Sequence, residues 1–151
     1  MLNEKIYAKG AVAFELKDEF GNIKEIGSSN LIVNTGLSYI TSRILNGTTP
    51  TVSHMALGTG LSAVSLANTT LESPLDIRVP ILDSSQVTTN ILNDSVQYTC
   101  NFASGVATGA ITEAALYNEA TNGIMIARTV FPVINKGPLD GLSIVWKITL
   151  Y

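Results

Sequence analysis

One histidine, one cysteine and twelve scattered carboxylates are what this chain offers for catalysis or metal binding. His54 is the only histidine, so a multi-histidine metal site within one chain is excluded. Serines are plentiful, but none sits in a G-x-S-x-G elbow. Cys100 alternates with Val96, Tyr98 and Phe102, which makes it a small buried hydrophobe rather than a nucleophile with a base beside it. No carboxylate spacing matches an acid/base pair or a calcium loop. The segment Gly58-Thr-Gly-Leu-Ser-Ala63 fits G-x-G-x-x-A, whose glycines bring a helix N-terminus against a pyrophosphate. The helix is missing from the pattern: residues 64–71 are rich in Ser, Thr and Asn without an apolar stripe, and Pro74 ends them. A tight loop that needs glycine dihedrals is the reading kept. One polar pair stands out, Glu113 with Arg128, on two strands flanking the turn Asn118-Glu-Ala-Thr-Asn-Gly123. Pairing Asn118 with Gly123 sets Glu113 opposite Arg128; a two-residue Asn122-Gly123 turn sets Arg128 opposite Tyr117 instead. The role is structural in either register. No catalytic residue, cofactor or metal is expected.

The composition agrees with a chain that works through contacts. Apolar residues make up 46% and charged residues only 14%, against about 25% charge in an average soluble domain. Ser, Thr, Asn and Gly fill the difference, leaving little like-charge repulsion to keep copies apart. The net charge is −3, and the nine basic residues are scattered, so no patch can track a phosphate backbone and nucleic acid is not an expected partner. No apolar run approaches the ~20 residues of a membrane helix. The first residues lack the apolar core of a secretory signal, and the single cysteine excludes an internal disulfide.

The elements are mostly strands. Residues 142–151 alternate without a break, with Leu142, Ile144, Trp146, Ile148 and Leu150 on one face. Residues 11–17 and 23–26 flank the turn signal of residues 18–22 and read as a hairpin. Short strands are expected at 30–34, 52–57, 76–82, 86–91, 95–103, 110–117 and 124–131, with Pro132 stopping the last of these. The one helix, near residues 36–46, carries Leu37, Ile40, Ile44, Thr41 and Leu45 at helical spacing, with Thr35 as cap and Gly47 as left-handed stop. Short strands at this spacing point to an all-β fold, an antiparallel β-sandwich of jelly-roll or Ig-like type, as one domain over residues 11–151 behind an N-terminal arm of residues 1–10. Phe14, Val96, Tyr98, Phe102, Trp146 and Ile148 are the expected core face. The arm and the 61–73 loop, which have no evident role within the domain, are the expected contact elements.

Taken in order, Asn30-Leu-Ile-Val-Asn-Thr-Gly36, Ala-Leu-Gly-Thr-Gly60, Leu71-Glu-Ser-Pro-Leu with Arg78, Thr112-Glu-Ala-Ala-Leu-Tyr117, Ala127-Arg-Thr-Val-Phe-Pro132 with Lys136, and Leu142-Ser-Ile-Val-Trp-Lys-Ile-Thr149 resemble virion proteins of tailed bacteriophages, of the tail-fibre or tail-appendage type. The resemblance covers about residues 10–151. It implies a structural subunit of the virion, assembled in the host cytoplasm, that contacts other virion proteins and is no enzyme. A tail fibre, fibre-anchoring or tail-tip module is the first expectation, and a capsid decoration protein the alternative. A homo-oligomer is expected, with the trimer the form suited to a fibre. A carbohydrate-binding module for a host-surface glycan is the third reading; Asn22 near Phe20 and Asn118 beside Tyr117 are its candidate residues.

Overall fold

A computed structural model describes residues 3–151, with the side chain of Asp76 left undescribed. Among the described residues, nine strands and one helix follow in the order β1 (Ala8–Lys17), β2 (Ile23–Ile32), α1 (Asn34–Leu45), β3 (His54–Gly58), β4 (Pro74–Pro80), β5 (Asp83–Val87), β6 (Ser95–Phe102), β7 (Gly109–Tyr117), β8 (Met125–Lys136) and β9 (Gly141–Leu150). All nine strands join one antiparallel sheet in the order β4-β3-β7-β8-β2-β1-β9-β6-β5. The protein is therefore mostly β with one short helix, as the alternation requires. The strands form one continuous sheet that curls into a half-barrel rather than a clear two-sheet sandwich.

β2 is where the sheet turns. It pairs with β1 from Ile23 to Asn30, yet its ladder with β8 comprises Leu31 and Ile32, with Thr129 of β8 adding side-chain hydrogen bonds to Ser28 and Ser29. The strand thus belongs to one half of the sheet along most of its length and to the other at its end. The curl brings the halves face to face: Phe14 of β1 lies against Phe131 of β8 with ring centroids 4.3 Å apart. Across the mouth, the chain steps from edge strand β4 to edge strand β5 through Ile81 and Leu82. Their amides donate to Ser53 O and Thr99 O, one in each half.

β9 lies between β1 and β6, and buries Leu142, Ile144, Trp146 and Ile148 beside Val12, Phe14, Cys100 and Phe102. Val96 and Tyr98 pack on this core and are partly buried. Leu150, expected inward, is 40% exposed at the strand's end. The first hairpin turns where expected: the Asp18 carboxylate accepts the Phe20 and Asn22 amides, and Gly21 takes φ +85°. The strand map shifts elsewhere. Residues 23–32 form one strand, and residues 88–94 a loop. β8 runs through Pro132 to Lys136, because the register slips between Ile111 and Glu113 and leaves Pro132 in a bulge with no ladder bond to supply. Residues 8–10, expected in the arm, belong to β1. Tyr7 adds a further pair of backbone hydrogen bonds to Tyr151.

α1 differs most from its sequence pattern. Gly36 and Tyr39 are its buried residues, while Leu37, Ile44 and Leu45 are 45%, 79% and 81% exposed. Thr35 does not cap the helix; its hydroxyl donates to Met125 O at 2.7 Å and pins the first turn onto β8. Gly36 touches the sheet backbone, where a Cβ would lie 2.0 Å from Ile126 O. Gly47, at φ +63°, ends the helix as expected. Gly36→Ala should destabilise the fold by about 1–3 kcal/mol, since carbonyl and helix must part to admit the methyl group. Urea denaturation would measure it; no change in midpoint would mean the contact is looser than the backbone geometry requires.

Candidate functional site

The polar centre of the molecule is built on Glu113 of β7 and Arg128 of β8, which are 0% and 1% exposed. Neither expected register holds. The ladder pairs Glu113 with Val130 and Ala115 with Arg128, so the two charges meet diagonally on one face of the sheet. Arg128 Nε and Nη2 both donate to Glu113 Oε2, at 3.0 and 2.8 Å. The Glu72 amide donates to the same oxygen at 3.1 Å, and the Gly60 and Ser73 amides to Oε1 at 3.1 and 2.8 Å. Three backbone amides and one guanidinium thus satisfy a fully buried carboxylate. Arg128 spends its remaining nitrogen on the same loop, donating from Nη1 to Ala63 O and to Asn68 Oδ1.

This arrangement gives Gly58-Thr-Gly60 its reason. A Cβ on Gly58 would lie 2.4 Å from Glu113 Oε1, and one on Gly60 2.6 Å from the same atom. Space, rather than the dihedral freedom expected from sequence, demands glycine at both positions. The G-x-G loop does embrace an anion, but the anion is the protein's own carboxylate. Thr112 closes the contact by donating to Gly60 O at 2.8 Å.

The 61–73 segment, expected to lack a role within the domain, is held at many points. Asn34 N–H donates to Leu66 O. Leu71 N–H donates to the Tyr117 hydroxyl at 3.2 Å. The Ser62 amide and hydroxyl both donate to the Glu72 carboxylate, which they hold below the usual carboxylate range. Beneath the loop, the Arg78 guanidinium stacks 3.4 Å from the Tyr117 ring centroid and donates to Glu119 O and Asn122 O. Burial pushes the Tyr117 hydroxyl up. The backbone is fixed, yet it turns Leu61 and Leu66 outward at 76% and 48% exposure.

The other chemically able residues are dispersed. His54 Nδ1 lies 2.8 Å from Ser53 Oγ, and desolvation with the nearby Arg78 charge lowers its pKa. Cys100 is fully buried and burial pushes its thiol up to about 12. It should therefore resist a water-soluble thiol reagent until the protein unfolds; prompt labelling of the native protein would contradict that placement. Among the described residues, no group of three or more His, Cys, Asp or Glu converges on a point. Trp146, the third residue singled out from sequence, is fully buried in the core, away from the ion pair's loop. The sequence marked the ion pair but not its partners, since amides carry no side-chain signal; Gly58 and Gly60 were the visible trace. Comparison of the chain with protein-family models, with curated proteins and with solved structures finds no match.

Proposed function

We infer that the protein is a non-enzymatic structural component of a bacteriophage virion, a tail-fibre, fibre-anchoring or tail-tip module acting through protein–protein contacts. The observation that carries this reading is the way ordered, internally satisfied backbone holds apolar side chains outward. Leu37, Ile44 and Leu45 on α1 and Leu61 on the clamped loop face solvent, and Leu66 is tied to the start of α1 through its carbonyl. Apolar side chains presented from rigid elements suit burial against another protein, with little ordering left to oppose association. The motif order quoted above supplies the virion context. With it goes a sandwich-like packing in which the two halves of the curled sheet serve as layers. The buried charges are taken up within the fold, so the reading gives them no catalytic part.

A tagged copy of the chain in purified phage particles tests the reading. Labelling at the tail, at tens of copies or fewer, is the expected result. Labelling over the head in hundreds of copies would replace the tail assignment with the capsid-decoration alternative. Absence from particles would overturn both.

A further inference from the structure

The geometry points to a binding site for a small anionic group, a phosphoryl or carboxyl group carried on a sugar-like or polyol body, in a hollow on the outer face of β1 and β9. The hollow has a volume of ≈ 420 Å³, and its walls include Lys9, Lys147, Thr89, Asn90, Thr149 and Tyr151. Lys9 pairs with Thr149 and Ala11 with Lys147, so the two lysines stand diagonally on the same face of the sheet, opposite the core side chains. Among the described residues neither ammonium has a hydrogen-bonding partner or a carboxylate within 4.0 Å. Two of the nine basic residues of an acidic chain thus share one concavity with no ion-pair partner among the described residues.

A convex sheet face does not by itself make a hollow; the 88–94 loop builds this one. The loop folds back over β9, with Thr89 Oγ1 2.7 Å from Ser95 Oγ and Ser95 Oγ 2.8 Å from Thr149 Oγ1. This cover leaves Thr149 5% exposed on a face expected to be open. Asp94 fixes the loop: its carboxylate accepts the Thr89, Asn90 and Ile91 amides and the Ser95 hydroxyl. Those bonds hold it ionised well below the usual range, and it lines the neighbouring concavity rather than this one. On the other side Tyr151 stacks with Tyr7, ring centroids 5.8 Å apart. Two flexible point charges suit an anionic head group without fixing its geometry. Hydroxyl and amide groups beside a half-exposed aromatic ring suit the polyol body that carries it.

Titration of the ¹⁵N-labelled protein at low salt with inorganic phosphate, glycerol phosphate, glucuronate and glucose tests the proposal. Phosphate, glucuronate or both should shift the Thr89, Asn90 and Thr149 amides, and glycerol phosphate binding tighter than phosphate would identify the polyol contribution. Phosphate alone or glucuronate alone names which acid the site prefers. Lys9→Gln with Lys147→Gln should weaken binding about tenfold or more, whereas Lys24→Gln, which removes the same charge elsewhere, should not. High salt should also weaken it. Equal response to glucose, shifts that persist in the double variant, or no shift in the wild-type protein would each overturn the site.

Discussion

Replacing Arg128 by Met should destabilise the protein by about 3–5 kcal/mol, the range for removing one partner of a buried ion pair. The loss goes beyond the four hydrogen bonds of Arg128, because the Glu113 carboxylate stays fully buried with only the Gly60, Glu72 and Ser73 amides to balance its charge. The double change Glu113→Gln with Arg128→Met should be less damaging than Arg128→Met alone. Gln can still offer an oxygen to the Gly60 and Ser73 amides and carries no charge to strand. Its NH₂ group would then face the Glu72 amide, another donor, so recovery should be partial. Urea unfolding of wild type, single and double variants measures the difference. A single variant within 1 kcal/mol of wild type, on the scale of an exposed pair, would mean that water reaches the carboxylate.

Trp146→Ala should cost about 3–5 kcal/mol, as deletion of a large core aromatic does when its surroundings relax only in part. Trp146 is fully buried on the central strand β9, facing Val12 on one side and Tyr98 on the other in the ladder. Its indole Nε1–H finds no acceptor among the described residues, and an unpaired buried donor carries its own penalty. Trp146→Phe should therefore be mild, within about 1.5 kcal/mol, since lost contact is offset by removal of that donor. If Trp146→Ala cost under 1 kcal/mol, the side chain would have to lie on an open surface instead of in the core.

Strand positions with uninterrupted alternation were legible because period two leaves one choice of buried face. Leu142, Ile144, Trp146 and Ile148 are buried as the pattern requires. α1 was legible as a helix but not in its facing. Its apolar stripe predicts burial of Leu37 and Ile44, whereas Gly36 lets the backbone approach Ile126 O, and Leu37 and Ile44 face outward while Ile40 packs against the core. A pattern of side chains does not report a contact made by the absence of one. Pro132 failed as a stop signal for a related reason: a bulge removes the need for the amide that proline lacks. At the polar centre, residue types identified Glu113 and Arg128. Their register was not legible, because the β7–β8 ladder slips between Leu116 and Tyr117, where no glycine or proline in residues 124–127 marks the irregularity. The 61–73 loop lacks periodicity, so nothing in its sequence foretold that its backbone amides close around Glu113.

The central claim is that the glycine-rich loop is filled by Glu113 and so needs no bound nucleotide. Hydrogen exchange at the Gly60, Glu72 and Ser73 amides, with and without NAD or ATP, tests it most directly. These three amides should exchange slowly in the free wild-type protein, unchanged by either nucleotide, and exchange faster in Arg128→Met. Rapid exchange in the wild-type protein, or protection that develops only when a nucleotide is added, would contradict it.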